Sequence, residues 1–233
     1  RNPAIWPDYG SVIRYRKLSI ANTACSILRK TGIRQVIIPA AGFSMLGIEL
    51  AALFPGIDVF ELDLNGMEEK RELAAGLPFA EKSGLHCIRS DISDIGESTC
   101  LLCGAGWVKS SPVLLIVEGI SYYLPKEAVR KLWNISAPGS PVIMEYLVPP
   151  DEVEFGRKYI PEKVFREIMY YCKSEIPITR WSEKELKNET AVSLESCISL
   201  HDIEKNLGEE ISPLFPQKKD GWIEIALLCR TGN

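Results

Sequence analysis

Hydrophobic positions alternate with polar ones in a repeating order along the first two thirds of the chain. Residues 11–31 carry Val12, Tyr15, Leu18, Ile20, Cys25, Ile27 and Leu28 at mixed helical spacing and close on Lys30-Thr31-Gly32, a helix stop. Gln35-Val36-Ile37-Ile38-Pro39 is a short β-branched run and predicts a buried strand. Ala40-Ala41-Gly42-Phe43-Ser44 is a small-residue turn, Met45 to Phe54 a helix, and Pro55-Gly56 its stop. Asp58 to Asp63 predicts a second strand, followed by a charged helix to about Ala75. Leu85 to Ser90, Val113 to Val117 and Pro141 to Val148 predict three more strands, with a Pro-initiated helix at Pro125 to Ser136. Strands alternating with helices in this way argue an α/β fold, a parallel sheet with helices on both faces.

The order changes after Pro149-Pro150. Residues 151–173 predict one long helix carrying Phe155, Tyr159, Val164, Phe165, Ile168 and Met169, and Trp181 to Lys187 a shorter one. Ala191 to Leu200 and Trp222 to Cys229 predict two further strands, joined by a hairpin-like return with a long loop containing Pro213 and Pro216. A single domain over 1–233, with a helical insertion at about 151–189, accommodates this order.

Composition adds exclusions. Of 233 residues, 46% are hydrophobic and 25% charged, which excludes a disordered or fibrous chain. The formal charge of −4 gives no general attraction to nucleic acid or to anionic membranes. Apolar runs such as Val113–Val117 fall far short of the roughly 20 residues that span a bilayer. There is no charged-then-apolar leader pattern, and the first residue is not Met, as in a trimmed chain. Seven scattered cysteines read as reduced thiols, so a cytoplasmic location is expected. Cys100 and Cys103 form one CxxC; without a second pair or a nearby His, a metal site is not expected.

Ligands of open parallel sheets sit outside the carboxyl ends of the strands. Here those ends are Ala40-Ala41-Gly42, Asp63, Asp91 and Glu118: one small-residue turn and three acids on one rim. The turn allows close approach to the backbone, and an acid 21 residues after Gly42 is placed to accept ribose hydroxyls. Asp63 and Asp91 are alternatively helix caps. Glu118, after Leu114-Leu115-Ile116-Val117, needs partners if buried. The turn lacks the full G-x-G-x-x-G that seats a pyrophosphate, so a nicotinamide dinucleotide is disfavoured. S-adenosyl-L-methionine, without a phosphate, suits the rim better.

The run QVIIPAAGFSMLGIELAALFPGIDVFELDLNGMEEKREL and the later SSPVLLIVEGISYYLPKEAVRKL resemble the leucine carboxyl methyltransferase family over about residues 12–148. The resemblance implies a Rossmann-like class I methyltransferase fold with a mostly parallel seven-stranded sheet, and S-adenosyl-L-methionine as cofactor. It implies cofactor contacts at Arg16, Ala40, Gly42, Asp63, Asp91, Ile92 and Glu118. Two departures stand out: Ala40 replaces the first Gly, and Ser44-Met45-Leu46 stands where the family has Asp-Thr-Arg. Tyr122 and Tyr123, just past Glu118, are the candidates to line the acceptor pocket.

The expected reaction is O-methylation of a small-molecule carboxylate or hydroxyl, with no nucleic-acid or membrane partner. The alternatives are a binding protein on the same fold without turnover and, less favoured, a nucleotide-dependent oxidoreductase. Neither His86, at the start of the third strand, nor His201, beyond the sixth, is placed to act as base. An acceptor oxygen that is already acidic is therefore favoured.

Overall fold

Helix α1 (Tyr9–Lys30) forms because Tyr9, Val12, Tyr15, Ile20, Ala24 and Leu28 recur at near-helical spacing and bury one face. It ends where Thr31 turns extended, its N–H still bonded to the Ile27 carbonyl. The chain then enters β1 (Gln35–Pro39), buried at all five positions, as a strand covered on both faces must be. The computed structural model describes residues 5–77, 84–172, 177–208 and 212–232.

The remaining strands are β2 (Asp58–Asp63), β3 (Gly84–Arg89), β4 (Leu114–Val117), β5 (Pro141–Leu147), β6 (Val192–Ser199) and β7 (Ile223–Arg230). Between them lie α2 (Leu46–Leu53), α3 (Met67–Ala75), α4 (Ile95–Gly104), α5 (Lys126–Trp133), α6 (Tyr159–Cys172), α7 (Glu183–Lys187) and α8 (Leu200–Asn206). All seven strands form one sheet in the order β3-β2-β1-β4-β5-β7-β6. β1 pairs in parallel with both β2 and β4, so the connections leave it in opposite directions. Such a switch point opens a crevice at the carboxyl ends of the strands. β7 alone runs antiparallel, between β5 and β6. This is the Rossmann-like class I methyltransferase arrangement.

The core lies on both faces of β1, β4 and β5, whose central residues Ile37, Leu115 and Ile143 are fully buried. Aromatic contacts hold α1 against the antiparallel end of the sheet: Tyr9 stacks on the Trp222 ring at 6.4 Å and Tyr15 meets Phe215 edge-on at 6.4 Å, with Trp6 just before the helix edge-on to Trp222 at 5.4 Å. No helix among the described residues is long and apolar enough to cross a membrane.

Three elements differ from the sequence expectation. The long helix predicted over 151–173 is a 3-10 turn at Phe155–Arg157 followed by α6. Glu154 accepts from the Gly156 amide and closes a separate turn, and Pro161 belongs in a first helical turn, where no N–H is needed. Residue 173 lies outside the described residues. The predicted loop between the last two strands holds α8, begun by a capping box between Ser199 and Asp202. Finally, α4 fills the stretch before the fourth strand, its amino end capped by Asp94 accepting from the Glu97 amide.

Candidate functional site

The chain leaves β1 through Ala40 at φ +53° and Gly42 at φ +49°. Both are left-handed, which glycine adopts freely and alanine at a cost. Asp63, at the end of β2, reaches across: its Oδ2 accepts from the Gly42 amide at 2.9 Å and its Oδ1 from the Asn65 amide at 3.2 Å. A carboxylate offers about four acceptor positions, so each oxygen retains one. A methyl built on Gly42 would meet only Asp63 Oδ2, at 3.9 Å, so this side of the turn is open.

Asp91 and Ile92 follow β3. Asp91 is exposed and accepts from the Ser93 amide at 2.9 Å. That bond, with the Ser93 hydroxyl, holds its carboxyl below the ordinary value. Ile92 is half-buried against the core. Glu118, past β4, pairs with Lys17 of α1 at 2.8 Å, and Lys17 also reaches the Ser44 hydroxyl at 3.3 Å. Helix α1 therefore lies along the rim.

Arg16 turns inward. Its guanidinium pairs with Glu145 of β5, which is fully buried, and contacts the Tyr122 hydroxyl at 3.2 Å. Burial works against the Arg16 charge, but Glu145 and then Tyr122 outweigh it, and its pKa is raised. Glu145 also accepts from Tyr122 and from the Gly119 amide, each at 3.2 Å. One carboxylate thus ties α1, the Gly119 turn at φ +71° and Tyr122 together. Burial, then the neighbouring Glu145 charge, pushes the Tyr122 phenol well up. At neutral pH it is a donor, not a base. Tyr123 is half-buried, edge-on to Tyr122 at 4.7 Å and tilted against Phe165 of α6.

Below the turn lies a second buried pair. Lys70 of α3, 2% exposed, meets Glu61 Oε2 at 2.7 Å, the Ser44 carbonyl at 2.6 Å and the Gly42 carbonyl at 3.1 Å. Burial raises the Glu61 carboxyl, opposed by Lys70 and by the Gly47 amide, which lies nearby without forming a full hydrogen bond to Oε1. Sequence reasoning missed Glu61, Lys70 and Glu145. The available signal was a lone acid inside an apolar strand, Val59-Phe60-Glu61-Leu62 and Val142-Ile143-Met144-Glu145.

The histidines stand elsewhere. His86 stacks on Phe60 at 4.7 Å and contacts Asp58 at 3.3 Å; His201 Nδ1 donates to the Phe215 carbonyl at 2.7 Å. A cavity of about 500 Å³, lined by Arg34, Gln35, Asp58 and Val108, opens at the amino ends of β1 and β2, the opposite rim. The chemistry of the carboxyl rim outweighs that hollow as a guide to the site. Among the described residues no group of three or more His, Cys, Asp and Glu could hold a metal, and the six cysteines whose side chains are described, all but Cys172, are free.

With the rim in view, the comparison with known proteins is direct. Residues 3–136, which contain all of these rim residues except Glu145, match the sequence profile of the leucine carboxyl methyltransferase family. The chain belongs to that family. A provisionally named S-adenosyl-L-methionine-dependent methyltransferase of Mycobacterium tuberculosis is 30% identical over 138 residues, or 57% of this chain and 41% of that protein. One from Mycobacterium marinum is 32% identical over 131 residues, or 54% and 41%. The chain matches about two fifths of the length of these leucine carboxyl methyltransferase relatives. Among solved structures, a DUF574 family protein from Streptomyces avermitilis superposes with a TM-score of 0.73 at 17% identity, over 98% of this chain and 87% of that one. Magnesium protoporphyrin IX methyltransferase from Synechocystis, with bound S-adenosylhomocysteine, gives 0.56 at 12% identity, over 93% and 84%. At these identities the likeness speaks for the fold of this family member.

Proposed function

We propose that this leucine carboxyl methyltransferase family member binds S-adenosyl-L-methionine at the carboxyl rim of its sheet and methylates an oxygen of a small-molecule acceptor, a carboxylate before a hydroxyl. The observation that carries the cofactor is Asp63, fixed by the Gly42 amide at 2.9 Å with acceptor capacity left on both oxygens beside an open turn. That geometry suits a ribose diol. Asp91 and Ile92 would flank the adenine, and Glu118 the methionine end. An incoming methionine carboxylate would share Arg16 with Glu145. The cofactor would supply an electrophilic methyl; the chain would align the acceptor and exclude water. The preference for an acidic acceptor rests on the placement of both histidines away from the rim and on the protonated state of Tyr122. Tyr123 remains as a wall of the acceptor pocket.

Titration calorimetry with S-adenosylmethionine, S-adenosylhomocysteine and NAD tests the cofactor. Binding of the first two and not the third is expected. Asp63→Ala is expected to weaken binding about ten- to a hundredfold, the loss of one charge-assisted pair of about 1.5–3 kcal/mol. Unchanged affinity removes Asp63 from the site. Release of S-adenosylhomocysteine over a panel of carboxylic acids and alcohols tests the reaction. Binding without release from any acceptor would leave a cofactor-binding protein without turnover.

A further inference from the structure

The contact of Lys70 with the ligand-facing turn has a physical oddity. A lysine that is 2% exposed, paired with a glutamate that is 0% exposed, is costly to desolvate. Apolar side chains of similar volume would serve stability as well or better. The pair therefore has to be explained by what else it touches. The three protons of the Lys70 ammonium have three acceptors: Glu61 Oε2, and the carbonyls of Gly42 and Ser44. Those two carbonyls bracket Phe43 in a turn that already holds Ala40 and Gly42 left-handed. Glu61 in turn is clamped from above, since a methyl on Gly47 of α2 would lie 2.3 Å from its Oε1. Lysine, glutamate and helix α2 form a buried wedge under the turn.

We infer that Lys70, anchored by Glu61, is a positioning residue for cofactor binding: it pulls the Gly42 and Ser44 carbonyls inward and so fixes the conformation that the turn presents to the ligand. The inference rests on the proposed cofactor site. Lys70 does not touch the ligand itself. Asp63 holds the turn by one amide from the rim side, and Lys70 holds it by two carbonyls from the core side.

The test pairs Lys70→Met with the double variant Lys70→Met/Glu61→Met. The single variant strands a buried carboxylate and is expected to lower Tm. The double variant removes both charges and is expected to recover most of that loss. Its Kd for S-adenosylmethionine should nevertheless stay weaker than wild type by about tenfold or more. Amide hydrogen exchange over residues 40–46 should speed up in the double variant while the strands keep their protection. A double variant with recovered Tm, wild-type affinity and unchanged exchange over 40–46 would overturn the inference, leaving the pair purely structural. If wild-type protein binds no S-adenosylmethionine, the proposed cofactor is wrong, and the exchange over 40–46 still decides whether Lys70 holds the turn. Should the double variant not fold, Lys70→Gln carries the same comparison: faster exchange over 40–46 and weaker binding are expected, and wild-type values of both would overturn the inference.

Discussion

Ala40 is the one described non-glycine residue with a positive φ, at +53°. The left-handed conformation costs alanine about 1–2 kcal/mol, and glycine would pay back only about 0.4–1 kcal/mol through its freer unfolded chain. Ala40→Gly should therefore stabilise the protein by up to about 1.6 kcal/mol in urea denaturation, with cofactor affinity no worse than wild type. Cysteine reactivity should be equally position-dependent. Burial, then the nearby Glu61 charge, pushes the Cys87 thiol up to about 11 from 9.0. A thiol whose folded pKa is raised contributes stability below the unfolded value; that contribution is lost as pH rises through about 11. Near pH 8, iodoacetamide should label exposed Cys100 and Cys103 promptly and Cys87 only on unfolding, as peptide mass spectrometry can read. Replacing His86 and His201 by Gln together should leave the methylation rate within a few-fold, with no inflection near the histidine pKa of about 6.5. A drop of about a hundredfold in a folded, cofactor-binding double variant would reveal a histidine base. At this scale the sequence showed acids that end strands, Asp63 and Glu118, because a strand end fixes its place on the rim. It did not show Lys70 or Glu145 as partners, because Lys70 meets Glu61 across a strand-to-helix turn and Glu145 meets Arg16 from a distant part of the chain, so neither pair has a regular spacing to read.

The same limit decides which elements were legible. β1, β2, β4 and β5 announced themselves as short apolar-rich runs closed by turn residues, β1 as a β-branched one. Helix α4 did not: Ile95 to Gly104 is rich in Gly, Ser, Thr and Cys, and only the Asp94 cap marks its start. Helix α8 has seven residues, too few for a periodicity, so its capping box at Ser199 was the only signal. Helix α1 carries a cost that its own pattern conceals. Arg16 sits among Arg14 and Lys17 as if on a solvated face, yet its side chain is only 17% exposed and balances a wholly buried Glu145. Arg16→Ala should cost about 3 kcal/mol in chemical denaturation, because it leaves that carboxylate unpaired between β5 and the Gly119 turn. Adding Glu145→Met should restore most of the loss. If Arg16→Ala is neutral by itself, the pair does not lock α1 to the sheet.

For the whole molecule, the parallel half of the sheet followed from the alternation of strands and helices, whereas the strand order, with its switch point at β1, came only from the structure. The hairpin-like return anticipated that β7 pairs antiparallel with β6, but not that β7 sits between β6 and β5, because that placement rests on pairings such as Met144 with Ala226 that span most of the second half of the chain. That placement has a consequence for the way the protein is made. β5 is complete at Leu147, but its neighbour on that side is not synthesised until Ile223 to Arg230. At roughly 5–20 residues per second, a ribosome leaves the interval open for several seconds. Throughout it the nascent chain exposes an unpaired, strongly apolar strand edge, and β6 has nothing to join. The chain is thus most vulnerable to wrong partners in the interval before β7 emerges, and any delay in decoding the codons for that insertion prolongs the hazard.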